Sequence, residues 1–436
     1  MSAIRPPGPK NPPILGNLYA FRSNPLRFLT NAAREYGDLV YFRVTSQHMY
    51  LVNHPDYVRE ILVANQGNFI KSRALQRAKV LLGEGLLTSE GHHHLRQRRL
   101  VQPAFHRERL AAYASAMSEC SVRWCERWQT GSTLDVSTEM PHLTLSVVAK
   151  TLFSADVRWE ASEIGAAMTT VLEMFRLLLL PFSEYMEKLP LPYVRRFEKA
   201  RARLDATIYG LIRERRKSGE DTGDLLSMLL LAQDEEKSDD SGQMTDTQVR
   251  DEALTLFLAG HETTANALTW TWYLLSQNPE VERRLHAEID SVLQGRPPEL
   301  ADVPQLRYAE MILSEALRLY PPAWAIGRMA KAPFELGGVE IPGGARVLVM
   351  YASANRDERR WDRADEFDIT REVSSHLGFG YGVHACAGMG LARMEGNAVL
   401  SALAARIGSI ELGAPVRKLN NLIRAFASLP VRVTPA

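Results

Sequence analysis

Near the carboxyl end of the chain lies FGYGVHACAG, residues 379–388, the most informative segment of a 436-residue sequence. Its glycines permit tight turns and let the backbone approach a flat ligand closely, because they lack a Cβ. A helical pattern follows from about Ala387 to Arg406. This places Cys386 at a helix N-terminus, where unpaired backbone N–H groups and the helix dipole favour a thiolate.

The chemistry of Cys386 has two interpretations at this point. A lone thiolate in a glycine-lined, apolar loop suits an axial ligand of haem iron. A free cysteine is equally often a small buried hydrophobic residue. A zinc site is disfavoured, because Cys120 and Cys125 form no Cys-x-x-Cys or Cys/His pairing. Both of these cysteines are predicted to lie in the core.

A second motif, AGHETT at residues 259–264, lies in the middle of the longest helical pattern, Thr245–Gln277. His261 and Glu262 begin a zinc-protease pattern, but its second histidine is missing. Gly260 weakens the helix, and threonine hydroxyls bond back to carbonyls and bend it. We therefore predict a widened turn with room for a small molecule beside a hydroxyl and a carboxylate. The alternative is a polar patch on an exposed helix face.

A third motif pairs Glu315 with Arg318, three residues apart on one face of a predicted helix. Taken alone, such a pair is a surface ion pair worth under about 1 kcal/mol. A histidine run at residues 92–94, followed by Arg98 and Arg99, indicates metal binding only weakly. A solvated basic face is the commoner explanation for that run.

The pattern F-x-x-G-x-H-x-C-x-G at residues 379–388 resembles the haem-binding loop of cytochromes P450, in the form with histidine common in bacterial members. The resemblance implies that Cys386 is the proximal ligand of haem b and that His384 is a partner of a haem propionate. It also places three further residues in the cofactor-binding loop: Phe379, Gly380 and Gly388.

The same resemblance extends over nearly the whole chain. It makes residues 259–264, which begin with Ala259, a groove that binds dioxygen. In that groove Thr263 steadies the bound oxygen and Glu262 relays protons. It makes His94, Arg98 and Arg328 haem-propionate partners. It gives Glu315, Arg318 and Arg371 a structural role in holding the haem loop, although Ala364 and Ile369 replace the usual prolines of that segment.

The resemblance implies a mainly α cytochrome P450 fold, with a long central helix crossing over the haem and a small β portion. We expect one domain over residues 1–436. The implied activity is that of a haem-thiolate monooxygenase, which inserts one atom of O2 into a hydrophobic organic substrate. Two alternatives stay open: a haem-thiolate peroxygenase or isomerase, and a non-catalytic haem sensor or carrier.

Electrons are expected from separate proteins, a ferredoxin or flavodoxin with an NAD(P)H-dependent reductase. The sequence has neither a glycine-rich dinucleotide fingerprint nor an iron–sulfur cysteine set. Arg96, Arg98 and Arg99 are candidates for a basic docking face for that partner. The substrate pocket is expected to be apolar; its candidate lining residues are Leu81, Leu82, Leu86, Leu87, Met174, Phe175, Leu178, Trp324, Ile326 and Phe426, with Trp324 narrowing the cavity.

Composition limits the remaining classes. Lysine and arginine total 52 against 51 aspartates and glutamates, so no global field favours nucleic acid. Three cysteines are too few for a disulfide framework and fit a reducing cytoplasm. Neither a signal peptide nor an apolar run of about twenty residues is visible. We expect a cytoplasmic monomer without a membrane anchor.

Periodicity predicts several elements outside the motifs. Polar residues Gln233–Gln243 are predicted to form a solvated loop. The segments Val339–Ile341 and Arg346–Met350 are predicted to form a hairpin around Pro342-Gly343-Gly344. The other predicted elements are strands Leu39–Val44 and His48–Val52, a helix opening at His54-Pro55, and helices over Glu108–Trp128, Ala161–Leu180, Tyr193–Lys217 and Tyr308–Tyr320.

Overall fold

A computed structural model describes residues 5–128, 131–154, 167, 170–171, 189, 191–234, 242–372, 375–418 and 423–435. Within these ranges the chain is mainly helical with a small β portion, as predicted. The predicted helix over 161–180 falls almost wholly outside the described residues, and with it three candidate pocket residues, Met174, Phe175 and Leu178.

Helices account for most of the described chain, and their predicted counterparts agree with them to within a few residues. A turn of π-helix, Glu60–Ala64, continues the helix Pro55–Arg59. In chain order the helices are α1 (Leu18–Ser23), α2 (Pro25–Tyr36), α3 (Pro55–Arg59), α4 (Arg73–Leu82), α5 (Gly91–Val101), α6 (Arg107–Cys125), α7 (Val136–Phe153), α8 (Pro192–Ser218), α9 (Leu225–Leu231), α10 (Asp246–Gln277), α11 (Pro279–Leu293), α12 (Arg307–Leu319), α13 (Tyr351–Ala354) and α14 (Met389–Ala404).

The central element is α10, whose 32 residues span about 48 Å at 1.5 Å per residue. It begins with the predicted capping box, in which Thr245 and Gln248 exchange side-chain and backbone hydrogen bonds. Asn278 ends it and Pro279 opens α11. The helix stays continuous through residues 259–264, so the predicted widened turn is wrong: the Thr263 hydroxyl bonds back to the Ala259 carbonyl without breaking the α-helix.

Strands form a small part of the described chain. In chain order the strands are β1 (Leu39–Val44), β2 (Gln47–Val52), β3 (Phe69–Lys71), β4 (Thr133–Asp135), β5 (Ile326–Ala330), β6 (Phe334–Leu336), β7 (Val339–Ile341), β8 (Arg346–Val349), β9 (Ile407–Leu412), β10 (Val416–Lys418), β11 (Ala425–Ser428) and β12 (Pro430–Pro435). The largest sheet has the order β1-β2-β8-β5-β3.

The hairpin predicted around residues 342–344 is wrong. Strand β7 pairs with β6 across the turn at Gly337 and Gly338. Strand β8 instead pairs in parallel with β2 and antiparallel with β5. Residues 342–344 do turn, since Ala345 donates its N–H to the Pro342 carbonyl, but the turn connects two different sheets.

The large sheet matters for the site because it fixes one pair of basic residues. In the antiparallel register of β3 and β5, Lys71 stands directly opposite Arg328. The main hydrophobic core lies elsewhere, among α6, α7, α10, α12 and α14, and it includes Cys120 and Cys125 as predicted. Among the described residues, no helix combines the length and apolar character needed to cross a membrane.

Candidate active site

The loop that carries Cys386 is closed by its own backbone. Cys386 donates its N–H to the Phe379 carbonyl over 2.8 Å, so the chain doubles back on itself. Gly380 and Gly382 adopt φ values of 69° and 70°, in the left-handed region that favours glycine. A Cβ at Gly382 would lie 2.1 Å from the Leu62 carbonyl oxygen, so no larger residue fits there.

Cys386 is the one accessible cysteine of the described chain; Cys120 and Cys125 are buried. It is therefore not the packed hydrophobic residue of the alternative interpretation. Protein nevertheless surrounds the Cys386 side chain, since burial is the main influence on the pKa of its thiol and raises that pKa. A side chain that is both accessible and surrounded faces open space inside the fold.

The electrostatics of Cys386 differ from the prediction. Helix α14 begins at Met389 with Gly388 as its N-cap, so Cys386 precedes the helix rather than opening it. Burial raises the thiol pKa, and the Gly388 N–H and the Arg98 guanidinium oppose this only in part. The protein alone thus favours the neutral thiol. A bound metal ion would deprotonate it directly.

Five basic side chains gather beside this loop, and we call them the cationic pocket: Lys71, His94, Arg98, Arg328 and His384. His384 Nδ1 lies 3.1 Å from His94 Nε2. Arg98 donates to the Ala385 carbonyl, next to Cys386. Burial, together with the charge of Lys71 and the two arginines, lowers the pKa of His94 to about 4 and that of His384 further.

In the described part of the chain, Glu90 and Glu252 attract Lys71, and Glu90 attracts Arg328, without forming a direct ion pair with the cationic pocket. None of its five members forms an ion pair with a carboxylate there, and Arg328, only 7% exposed, hydrogen-bonds the Gly327 carbonyl alone. Glu90 lies nearby, but its Oε1 accepts from the Lys71 backbone and from Gln76. Like charges opposite each other on paired strands, and a buried cation without a counter-ion, are both unfavourable.

The cationic pocket is therefore built to hold an anion. A ligand with two carboxylates would relieve the repulsion between Lys71 and Arg328 and would accept hydrogen bonds from arginine and imidazole. The propionates of haem have this chemistry, and the pocket adjoins an accessible cysteine in a glycine-lined loop. The residues present thus fit the cofactor that the sequence indicates.

The middle of α10 is the second accessible region. Ala259 is exposed, although the helix is largely buried on either side, from Val249 to Phe257 and from Thr264 to Leu275. Thr263 donates its hydroxyl to the Ala259 carbonyl over 2.6 Å. Glu262 precedes it and is partly accessible. Helix α10 packs against α14, which follows the cysteine loop.

His261 belongs to the packing of α10 rather than to a metal site. Its Nε2 lies 3.0 Å from the Pro141 carbonyl, and its own carbonyl accepts from Thr144, so it joins α10 to α7. Burial lowers its pKa to about 4, which keeps the ring neutral.

Glu315 and Arg318 are fully buried, so the surface-pair interpretation is wrong. Arg318 binds both carboxylate oxygens of Glu315 at 2.7 Å. Arg371 joins them, its Nε 3.4 Å from Glu315 Oε1. The guanidinium of Arg318 also donates to three backbone carbonyls, those of Asn355, Ala364 and Glu366. The segment with the missing prolines is therefore held through its backbone.

Two residues of the site escaped the sequence analysis. Lys71 is an isolated lysine at a strand end, and only the register of β3 and β5 reveals its position. Tyr351 is buried and interacts electrostatically with Arg328, and its hydroxyl would lie 3.3 Å from a Cβ at Gly380. Neither belongs to a local pattern, so no sequence signal could have found them.

The candidate pocket residues divide by burial. Leu86, Leu87 and Ile326 keep accessible surface. The other four described candidates are packed in core clusters and do not line an open space: Leu81, Leu82, Trp324 and Phe426. Trp324 therefore does not narrow the cavity, because it packs in the cluster that contains Phe42 and Met350.

Of the three arginines proposed as a basic docking face, Arg99 is exposed, whereas Arg96 and Arg98 are only partly accessible. Arg96 pairs with Asp234 at 3.1 Å and Arg99 lies 3.6 Å from the same carboxylate. Arg98 points to the Ala385 carbonyl. The loop predicted as solvated over 233–243 thus contributes a buried, paired Asp234 among its described residues, because the two arginines draw it inward.

The family model described as Cytochrome P450 matches residues 6–406. Cyclooctatin synthase from Streptomyces melanosporofaciens is 41% identical, over 90% of this chain and 87% of its own. Cyclooctat-9-en-7-ol 5-monooxygenase from the same organism is 37% identical, over 91% and 88%. Pentalenene oxygenase from Streptomyces avermitilis is 36% identical, over 90% and 88%.

Proposed function

The chain belongs to the cytochrome P450 family, and on that premise we propose that Cys386 is the proximal thiolate ligand of its haem. Members of this family are haem-thiolate monooxygenases, and this protein is an oxidoreductase of that class. When bound, the haem-thiolate group activates O2 and delivers one of its oxygen atoms to the substrate. The residues that hold it and serve it are the subject of the proposal.

The cationic pocket is the observation that supports this assignment most strongly. Arg98, Arg328 and His94, with His384 from the cysteine loop, would bind the propionates and so orient the macrocycle. Phe379, Gly380 and Gly388 would let the loop lie close to it. Lys71 would add charge without a direct role in the chemistry.

We further propose that Thr263 and Glu262 deliver protons in the middle of α10. The Thr263 hydroxyl now donates its hydrogen bond to the Ala259 carbonyl oxygen, 2.6 Å from its own oxygen. A hydroxyl held in this way can turn to donate to a small molecule at the exposed surface of Ala259. Glu262 would resupply the proton, since a carboxyl group suits general acid catalysis.

The proposed substrate is a ring-containing terpenoid hydrocarbon or alcohol. Support comes from the names of two relatives, which specify oxidation of pentalenene and of cyclooctat-9-en-7-ol. Leu86, Leu87 and Ile326 are apolar residues that keep accessible surface, as a pocket for such a molecule requires.

The remaining proposals concern partners and setting. We propose a ferredoxin or flavodoxin, reduced by an NAD(P)H-dependent reductase, as the electron donor. A monomer suffices, because one chain supplies the cysteine loop, the cationic pocket and the accessible part of α10. The buried free thiols of Cys120 and Cys125 fit the reducing conditions of the cytoplasm.

Reconstitution with a ferredoxin, its reductase and NADH tests the proposed reaction. Cyclic terpenoids would be screened by the spin-state shift of the haem, and those that bind would be incubated under ¹⁸O2. We expect one ¹⁸O atom in the product and dependence on NADH. Turnover with peroxide alone, with no product from NADH and O2, would instead indicate a peroxygenase.

A further inference from the structure

The loop between α4 and α5 is attached to the central helix by buried polar contacts that the haem chemistry does not require. We call the contacts of residues 83–89 with Asp251 and Glu252 the clasp. Asp251 Oδ2 accepts the backbone N–H of Glu84 at 2.9 Å. Glu252 Oε2 accepts that of Leu86 at 3.1 Å.

Glu252 is fully buried and its second oxygen is used as well. Its Oε1 accepts from Gln97 of α5 at 2.9 Å, so one carboxylate ties α10 to both the loop and the helix that follows it. Buried Lys71 reinforces the loop from the other side, because its Nζ donates to the Leu86 and Ser89 carbonyls. The loop backbone is thus held between an acid on α10 and a base of the cationic pocket.

Close packing adds a steric component to the clasp. A Cβ at Gly83 would lie 2.0 Å from Asp251 Oδ2, and one at Gly85 would lie 2.3 Å from Thr255 Oγ1. Gly83 also adopts a φ of 56°. The loop can approach α10 this closely only because both positions are glycine.

The clasp lies beside the accessible part of α10. Glu252 and Ala259 are seven residues apart, and Thr255 and Ala259 are four apart, spacings that share one helix face. Leu87, one residue beyond the Glu252 contact, is 38% exposed. Because Gly85 packs against Thr255, the loop lies on this face of α10 one helical turn before Ala259.

We propose that Glu252 is a positioning residue that fixes the Leu86–Leu87 wall of the substrate pocket by holding the loop backbone against α10. The proposal rests on the proposed function, which assigns Leu86 and Leu87 to the substrate pocket. Replacing Glu252 would leave the Leu86 N–H and Gln97 without their acceptor and would release the wall, while the haem loop and the cationic pocket keep their own contacts.

The test compares haem-loaded variants by amide hydrogen exchange and by ligand binding. In Glu252→Leu we expect the amide exchange rate of residues 84–88 to rise about tenfold or more, because a buried hydrogen bond is lost. Glu252→Gln retains an acceptor and should fall between this variant and the unmodified protein. Glu84→Gln is the matched control, since it removes the charge of an exposed side chain of the same loop but leaves the backbone donor in place.

Ligand binding separates a pocket wall from a merely structural contact. Imidazole and 4-phenylimidazole both bind haem iron through nitrogen, but only the second needs room for a phenyl ring. We expect the Kd of 4-phenylimidazole to change at least about threefold in Glu252→Leu, with the Kd of imidazole unchanged. Gly85→Ala, whose Cβ would strike Thr255, should act in the same direction and replaces Glu252→Leu if that variant does not fold.

Two results would overturn the proposal. One is exchange in residues 84–88 that is no faster in Glu252→Leu or Gly85→Ala than in Glu84→Gln. The other is faster exchange with an unchanged Kd for 4-phenylimidazole, which would mean that the loop does not border the pocket. Failure of imidazole itself to shift the haem spectrum would count against the haem assignment, and failure of terpenoids alone would count against the substrate class.

Discussion

Replacing Arg318 with alanine would test how the buried ion pair supports the haem loop. Arg318 makes two 2.7 Å bonds to Glu315 and three more to the carbonyls of the 355–366 segment. A hydrogen bond connects that segment to the haem loop. The Asn355 side chain accepts the N–H of Leu377, two residues before Phe379, over 2.7 Å. The substitution would thus loosen the backbone that precedes the proposed haem ligand.

The expected magnitude follows from what remains after the change. Removing one member of a buried pair costs about 3–5 kcal/mol, because the other charge stays buried without compensation. Here Arg371 still lies 3.4 Å from Glu315, so we expect a loss near the lower limit, about 3 kcal/mol. If the whole loss falls on the segment that holds the haem, haem release should accelerate about a hundredfold.

The assay is transfer of haem from the variant to excess apomyoglobin, with thermal unfolding followed alongside. The matched control is Arg283→Ala, which removes an exposed arginine that pairs with Glu280 at the same three-residue spacing. We expect the control to release haem at the rate of the unmodified protein. Equal rates for the two variants would refute the assignment of a structural role to the buried pair.

Three further predictions address other parts of the site. Thr263→Ala should consume O2 with less hydroxylated product while Thr263→Ser retains coupling, measured as product per NADH; equal coupling in all three proteins would reject the proton-delivery role. Burial raises the pKa of Glu252 from 4.5 to about 7, although the hydrogen bonds from the Leu86 N–H and Gln97 oppose the shift. Its neutral form therefore stabilises the fold below pH about 4.5, and about 3 kcal/mol of this is lost as the pH rises through 7; urea unfolding of Glu252→Gln should lack that decline, and parallel pH profiles would contradict it. Arg328→Met should stabilise the haem-free protein, by relieving the repulsion with Lys71, yet weaken haem binding in a titration; unchanged haem affinity would argue against the cationic pocket as the propionate site.

Local pattern was sufficient wherever the structure depends on neighbours in sequence. The capping box at Thr245 and the proline at 279 bound α10 on their own. The glycines at 380 and 382 adopt the positive φ values that only their type takes readily. Glu315 and Arg318 meet because three residues of helix bring them to one face, although only tertiary packing makes the pair buried.

Apart from the widened turn in α10, the failures involve partners far apart in the chain. Strand β8 follows a turn signal but pairs with β2, about 300 residues earlier, and no local rule predicts such a pairing. Lys71 enters the site through the register of two short strands, and Asp234 is drawn inward by Arg96. The Cys386 thiol was expected to ionise because of the helix terminus, but burial by the surrounding chain outweighs that effect.

The sulfur of Cys386 as the iron ligand is the central claim, and the spectrum of the reduced protein with carbon monoxide tests it most directly. We predict the strongly red-shifted absorption band of thiolate coordination in the unmodified protein and its disappearance in Cys386→Ser. A spectrum of imidazole coordination, or one that Cys386→Ser leaves unchanged, would contradict the account.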